Sequence, residues 1–267
     1  MARAGVIGWP VAHSLSPIIH QHWLDHYAIA GGYDKYEVPP QELASFLKTQ
    51  RQEMCGFNVT LPHKETIMPL LDEIDETARA IGAVNTVVCR EGKLTGTNTD
   101  ATGFIAALRQ AVPDVRRGKA LVLGAGGAAR AVVYALRQAG FTDIYVANRS
   151  PEKAKCLTAA LGGHAIMWHM LEAYLPEVDL LVNTTSLGMQ GQPPLVISLA
   201  ALAPHAVVYD IVYKPKETEL LKQARAGGHR IVGGMGMLLH QAAPAFELFF
   251  GVRPEVTEAL RSKVESA

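Results

Sequence analysis

The run KALVLGAGGAARAVVYALRQAG, from Lys119 to Gly140, decides how this chain folds. Its apolar stretch Ala120 to Leu123 reads as a buried strand, and the residues after Ala129 read as a helix. Between them Gly124-Ala125-Gly126-Gly127-Ala128-Ala129 fits G-x-G-x-x-G/A. One glycine permits the tight bend and another lets backbone approach a pyrophosphate. The small residue at Ala129 lets the helix pack close to the strand, while the helix N-terminal amides face the anion. A glycine-rich turn in a flavodoxin-like domain without a dinucleotide is the structural alternative. Downstream, "FTDIYVANRS", "VDLLVNT", "AVVYDIV" and "HRIVGG" keep a regular strand-helix alternation, the pattern of a parallel, doubly wound Rossmann-like sheet.

The end of the next strand selects the dinucleotide. An NAD-binding unit usually places Asp or Glu about 20 residues after the glycines to hold the ribose diol. Here "IYVANRS" ends in Asn148-Arg149-Ser150. Arginine suits a 2′-phosphate, with Asn148 on the ribose edge and Arg149 either gripping the phosphate or stacking on adenine. Lys153, one helical turn on, adds positive charge or is an ordinary exposed lysine. The expected cofactor is NADP.

Toward the N-terminus the pattern becomes mixed α/β. "AGVIG", "YDKYEV" and "CGFNVTL" read as strands. Ser16 is placed to cap a helix with Pro17 at its first position and Ile18, Ile19, Trp23 and Tyr27 on its buried face. A second helix, "PQELASFLKTQ", opens at Pro40, and two short helices follow the third strand. The β-branched runs around Glu91-Gly92-Lys93 read as a hairpin. The tail, "MGMLLHQAAPAFELFFGV" and "PEVTEALRSKVES", is helical, with apolar faces too large to stay wet, so it is expected to pack back onto the first half. Two α/β domains result: residues 1–101 plus 237–267, and residues 102–236.

Composition narrows the partners. A chain of 267 residues, 49% hydrophobic and 19% charged, holds a large core or two modest ones. With 25 basic residues against 25 acidic ones, no broad field recruits nucleic acid or an anionic membrane, which leaves a small molecule as the expected partner. The N-terminus meets Gly8 and Pro10 before a signal-length apolar core can form, and no later stretch approaches a membrane span, so a cytoplasmic location is expected. Cys55, Cys89 and Cys156 lack metal-type spacing and read as reduced packing residues. No metal site is expected; His22 and His26, on one helix, read as surface or interface residues.

Polar residues at strand ends carry the rest. "GFNVTLPHKE" stops as a strand at Pro62 and leaves His63 and Lys64 where the chain turns; adjacent residues point to different sides, so His63 reads as a loop residue. "TGTNTDATGF" ends at Asp100, which reads equally as a helix N-cap. Ser14 and Ser16 stand in "HSLSP", Asn85 in "AVNT", Tyr213 after "DIV" and Gln241 in "LLHQAAP". In order, the chain shows S-L-S (Ser14 to Ser16), N-V-T-x-P-x-K (Asn58 to Lys64), G-A-V-N-T (Gly82 to Thr86), N-T-D (Asn98 to Asp100), G-A-G-G-A-A-R-A (Gly124 to Ala131) and N-R-S from Asn148. An altered G-x-x-M-L-x-x-Q spans Gly234 to Gln241. On these motifs the chain resembles the shikimate dehydrogenase family over nearly its whole length. It departs at His63, where relatives vary, and at Ile211, where Met is frequent.

The resemblance implies reversible NADP-linked reduction of 3-dehydroshikimate to shikimate, in aromatic amino-acid biosynthesis, with Lys64 and Asp100 as the catalytic pair. It implies that the first domain binds substrate, with Ser14, Ser16 and Tyr213 taking the carboxylate. Thr60, Lys64, Asn85, Asp100 and Gln241 then read the hydroxyls and the reacting oxygen. For the cofactor it implies Glu76, the loop Gly124, Ala125, Gly126, Gly127 and Ala128, then Asn148, Arg149, Ser150 and Lys153, with Thr184, Ile211 and Gly234 near the nicotinamide. Glu76 reads almost equally as a solvated helix residue. Other readings are a quinate/shikimate dehydrogenase using NAD, a non-catalytic NADP-sensing relative, and a one-carbon folate dehydrogenase on a similar scaffold; the last should lack S-L-S and N-T-D. Homodimerisation is left open.

Overall fold

The computed structural model describes residues 2–267, and the chain divides into two units, each built on one six-stranded sheet. The first runs to Thr99 and resumes over Leu239–Ala267; the second is Asp100–Leu238.

In the first unit the strands are β1 (Ala2–Gly8), β2 (Gly31–Glu37), β3 (Gly56–Val59), β4 (Glu73–Ile74), β5 (Thr86–Arg90) and β6 (Lys93–Thr97), in the order β2-β1-β3-β5-β6-β4. β1 pairs in parallel with β2 and β3, and β4 with β6, whereas β5 runs antiparallel to β3 and β6. The sheet is therefore mixed. Helices α1 (Ser16–His26), α2 (Leu43–Gln50), α3 (His63–Thr66) and α4 (Glu76–Ile81) connect these strands. Every residue of β3 is buried, since it lies inside the sheet with helices over it. Phe57 and Val59 pack with Ile7, Leu43, Leu47, Ile67 and Leu94.

The buried face of α1 is Ser16, Ile19, His20, Trp23 and Leu24, a stripe at helical spacing. Ile18 and Tyr27 are only half-buried, and His20 and Leu24 take the places expected of them. Ser16 is not the cap. It is already helical, and no side chain caps α1. The Ser16 amide instead donates to Ser14 Oγ at 3.3 Å.

The second unit is parallel throughout. Its strands β7 (Lys119–Leu123), β8 (Asp143–Ala147), β9 (His164–Ile166), β10 (Leu180–Asn183), β11 (Val207–Asp210) and β12 (Arg230–Val232) lie in the order β12-β11-β10-β7-β8-β9. Between them run α5 (Asp100–Ala111), which leads in, then α6 (Gly127–Gln138), α7 (Pro151–Leu161), α8 (Leu171–Tyr174) and α9 (Glu219–Ala226). The order reverses between β10 and β7, at the switch point where ligands of doubly wound sheets bind. β7, β10 and β11 lie inside this sheet and are buried on both faces, apolar along their length until Asn183 and Asp210 at the ends of β10 and β11. The short strands β4 and β9 went unread because two or three residues carry no periodicity.

Helix α10 (Gly234–Phe250) spans both units, and α11 (Glu258–Glu265) ends the chain. Ala245 and Phe249 of α10 pack with Ala4, Val6 and Tyr33 of the first sheet, and Trp23 Nε1 donates to the Glu255 carbonyl at 3.0 Å. The tail thus returns to the first half. Cys89 is buried and Cys55 half-buried, but Cys156 is exposed on α7 and does not serve packing.

The turn between β5 and β6 holds Glu91 and Gly92 at φ of 51° and 75°, the left-handed pair of a tight two-residue hairpin. A Cβ on Gly92 would meet nothing within 4 Å, so only backbone strain opposes a side chain there. Gly92→Ala is expected to lower the unfolding free energy by about 1 kcal/mol in a urea titration. Gly32→Ala, with equally open space on extended β2, should cost nothing; equal losses would contradict the turn assignment.

Candidate active site

Buried polar groups of the first unit form one connected set. The Ser14 hydroxyl donates to Ser16 Oγ at 3.2 Å, and Ser16 bonds the Tyr33 phenol. Tyr33 Oη donates to Asn58 Oδ1 at 2.6 Å. The Asn58 amide then donates to Thr86 Oγ1 at 3.0 Å and to the Asn85 carbonyl at 3.3 Å. Asn85 Oδ1 accepts from the Thr99 amide at 2.7 Å and the Thr86 hydroxyl at 2.9 Å, while its Nδ2 donates to Thr99 Oγ1 at 2.9 Å and Gln241 Oε1 at 3.3 Å. Both ends of the Asn85 amide are thus committed to protein. For Asn85 to read a ligand hydroxyl, a long contact such as that to Gln241 has to give way.

Four of the substrate residues expected from the sequence, Ser14, Ser16, Asn85 and Gln241, therefore belong to a single buried network. Thr60 lies beside it, half-buried, its amide bonded to the Ile7 carbonyl at 2.9 Å. Lys64 is half-buried at the second position of α3, where its carbonyl accepts from the Val84 amide at 2.8 Å. His63 is not a loop residue: it opens α3, is 1% exposed, and is bonded through Nε2 to the Val38 carbonyl at 2.7 Å. That bond holds it as a structural brace. Glu76 is exposed at the start of α4, whose cap is Asp75.

Tyr33, Asn58, Thr86 and Thr99 have no assigned part in the sequence reading. Three of them stand inside its quoted motifs, so the signal was present; Tyr33 gave none beyond strand alternation. Beneath Tyr33 lies His20, fully buried and stacked on it with ring centroids 4.0 Å apart, with neither nitrogen hydrogen-bonded. Burial pulls the His20 imidazole down to about 3, so it is neutral at ordinary pH.

In the second unit several of the residues expected at the cofactor come together from distant parts of the sequence. Gly124 takes φ of 110°, and a Cβ there would fall 2.5 Å from Thr184 Oγ1, whose hydroxyl bonds the Leu123 carbonyl at 2.6 Å. Gly126 precedes α6, is exposed, and has nothing within 4 Å of its Cβ position. The helix N-terminus thus has open space in front of it, which fits a pyrophosphate on its amides. The Ile211 amide bonds the Asn183 carbonyl at 3.1 Å, and a Cβ on Gly234 would fall 2.1 Å from the Ile211 carbonyl oxygen. Only glycine allows that approach. Arg149 and Lys153 are both exposed beyond β8, and Asn148 Nδ2 donates to the Ser150 carbonyl at 3.0 Å. Ala125 and Gly127 are buried in the turn and Ala128 half-buried. Asp100, buried, is the first residue of α5. Tyr213 is half-buried after β11, and burial raises its phenol pKa.

Asp210, at the end of β11, was not anticipated. It is fully buried, and burial pushes its carboxyl up to about 6 against hydrogen bonds from Thr218, Val212 and Asn183. No helix among the described residues is long and apolar enough to cross a membrane, and no group of His, Cys, Asp and Glu among them could hold a metal.

A glycine-loop parallel unit joined to a mixed-sheet unit carrying a buried hydroxyl-and-amide network defines a dinucleotide-dependent α/β oxidoreductase. The chain matches the family models described as shikimate dehydrogenase substrate binding domain over residues 6–87, shikimate / quinate 5-dehydrogenase over 106–190, and shikimate 5'-dehydrogenase C-terminal domain over 234–264. It is 52% identical over 267 residues to the shikimate dehydrogenase (NADP(+)) of Nitrobacter winogradskyi, covering 98% of this chain and 95% of that one. Shikimate 5-dehydrogenase of Thermus thermophilus, solved in complex with NADP(H) and shikimate, superposes with a TM-score of 0.88 at 40% identity over 100% of this chain and 98% of that one. Quinate dehydrogenase of Corynebacterium glutamicum, in complex with NAD, superposes with a TM-score of 0.91 at 33% identity over 100% and 99%. The chain belongs to the shikimate dehydrogenase family.

The raised Asp210 pKa has a consequence for stability. A folded value of about 6 lies above the ordinary carboxyl value of 3.8, so between them the native state holds a proton that the unfolded chain has lost. The contribution of Asp210 is full below about pH 4 and falls as pH rises through about 6, by at most about 3 kcal/mol. His20 acts with the opposite sign, its contribution lost as pH falls from about 6.5 toward 3. Asp210→Asn removes only the first effect. Unfolding free energies from about pH 4 to about pH 7 should therefore move in favour of the variant, relative to wild type, as pH rises; a constant difference would contradict the burial assignment.

Proposed function

We propose that this chain catalyses the NADP-linked interconversion of 3-dehydroshikimate and shikimate. What carries the reading is the co-occurrence of the buried Ser14-Ser16-Tyr33-Asn58-Asn85-Gln241 network with a phosphate-ready glycine loop and Arg149 at the end of β8. When bound, NADPH supplies the hydride that reduces the ring ketone. The residues that would hold it are Gly124 to Ala128 at the pyrophosphate, Asn148 at the ribose edge, Arg149, Ser150 and Lys153 at the adenosine 2′-phosphate, and Thr184, Ile211 and Gly234 at the nicotinamide. Glu76 is an exposed carboxylate with no such cradle around it, and its cofactor role rests on the resemblance alone.

Negative charge grows on the carbonyl oxygen as the ketone is reduced, and the alcohol forms only when that oxygen gains a proton. Lys64 is assigned both tasks: its ammonium holds the charge and gives up the proton. Family likeness assigns Asp100 to orient the ammonium. In the reverse direction neutral Lys64 takes the proton back. Ser14 and Ser16 offer hydroxyl donors to the substrate carboxylate by turning them from their contacts with each other and with Tyr33; family likeness assigns Tyr213 to the same carboxylate and Thr60, Asn85 and Gln241 to the hydroxyls. A cytoplasmic location accords with this chemistry. A non-catalytic relative would have no reason to keep both Lys64 and Asp100, and the sequence keeps both.

Against the alternative of a quinate/shikimate dehydrogenase using NAD stands the end of β8. Neither Asp nor Glu stands at the end of β8 to take a ribose diol, and Asn148-Arg149-Ser150 stands there instead.

Two variants test the assignment. Lys64→Ala should lower turnover by roughly 10²–10⁴-fold while changing the shikimate dissociation constant far less. Lys64→Arg should not restore it, because a guanidinium does not release its proton; near-normal turnover in either variant would refute the role. Arg149→Ala should weaken NADP by roughly 10–150-fold and leave NAD nearly unchanged, the worth of one charge-assisted contact. Equal losses for both cofactors would reduce Arg149 to an adenine-stacking group.

A further inference from the structure

We propose that Asp210 is a positioning residue for the two loops at the nicotinamide end of the second unit, an inference that rests on the cofactor reading given above. Asp210 is 0% exposed, and its two oxygens collect donors from three separate places. Oδ1 accepts from Asn183 Nδ2 and from the Val212 amide, each at 3.0 Å, and Oδ2 accepts from the Thr218 hydroxyl at 2.7 Å. Asn183 ends β10, Val212 stands at the start of the loop after β11, and Thr218 stands at that loop's far end. Thr218 is also the cap of α9, taking the Leu221 amide at 3.4 Å. One carboxylate therefore fastens both ends of the 211–218 loop.

The hold extends to the neighbouring loop through Asn183. Its Oδ1 accepts from the Thr185 amide at 3.0 Å and the Thr185 hydroxyl at 2.7 Å, and its Nδ2 also donates to the Leu187 carbonyl at 3.2 Å. Thr184 and Ile211, the two loop residues assigned to the nicotinamide end, sit directly after Asn183 and Asp210 respectively. Among the described residues no cation pairs with Asp210; its charge is met by neutral donors alone. Such a group is tolerated inside a protein only where the donors are fixed in place. The same three donors that satisfy the carboxylate are fixed by it, and with them the backbone that carries Ile211 against Gly234. Asp210 touches no ligand in this scheme. It sets the positions of residues that do.

Whole and truncated cofactor distinguish this role from general damage. Adenosine 2′,5′-bisphosphate carries the adenine and the 2′-phosphate but no nicotinamide, so it reports only on the Arg149 end. By calorimetry, Thr218→Val is expected to weaken NADP+ by about 2–10-fold, the effect of one lost ordering hydrogen bond, and to leave the bisphosphate within about 2-fold. Thr218→Ser keeps the hydroxyl and should restore wild-type binding. Asp210→Asn, which turns the acceptor facing Thr218 into a donor, should repeat the pattern and provides the measurement if the valine variant does not fold. Equal weakening of NADP+ and the bisphosphate, an unchanged NADP+ affinity in both variants, or a serine variant as impaired as the valine one would overturn the proposal. Wild-type protein that binds the bisphosphate as tightly as NADP+ would overturn the nicotinamide-side reading beneath it. Normal wild-type discrimination with a non-selective Thr218→Val would overturn the positioning role alone.

Discussion

Buried polar side chains that water cannot reach are costly unless they satisfy one another, and each unit carries one connected set that does so. In the first, the amides of Asn58 and Asn85 join Tyr33, Thr86, Thr99 and Gln241 where β3 and β6 end and β5 begins. In the second, Asn183 and Asp210 do the same at the ends of β10 and β11. Strand ends are where the backbone ladder stops supplying partners, so these side chains take over from the sheet. The loops that leave the sheet are consequently set in place by the same contacts that complete it. A site assembled in this way needs little further ordering when a ligand arrives, and ordering is what weak binders spend their affinity on.

The parallel unit was legible because its signals are local. An apolar strand, a glycine loop and an amphipathic helix stand within some twenty residues, and each has one physical use. The hairpin at Glu91-Gly92 was legible for the same reason, whereas the edge strands β4 and β9 are too short to leave such a signal. Ser16 was misread as a cap because Ser before Pro is a frequent helix start; Ser14, two residues earlier, takes the amide instead. His63 was misread because residue spacing says nothing of what covers a turn, and Val38, directly after β2, bonds it through its carbonyl.

The site was legible residue by residue but not as a network. Ser14, Ser16, Asn85 and Gln241 could be picked out through the motifs of the family resemblance, yet the residues joining them could not. Tyr33 lies 25 positions from its partner Asn58, and Asn85 lies 156 from Gln241. Long-range pairing leaves no mark in a single sequence. Asp210 escaped for a related reason: an aspartate at a strand end reads as a solvated turn residue until the fold shows Asn183 and Thr218 closing over it. Cofactor choice is the opposite case, since Asn148-Arg149-Ser150 is a local feature and its exposure in the fold leaves it available to a phosphate.

The central claim is that hydride passes directly between the shikimate ring and the nicotinamide of NADP. Shikimate carrying deuterium on the carbinol carbon that becomes the ketone tests it most directly. After incubation with the protein and NADP+, the reduced cofactor is isolated and its C4 position examined by mass spectrometry and NMR. The account predicts one deuterium at that carbon, on a single face of the ring, together with 3-dehydroshikimate. Reduced cofactor without the label, or label lost to solvent, would contradict it.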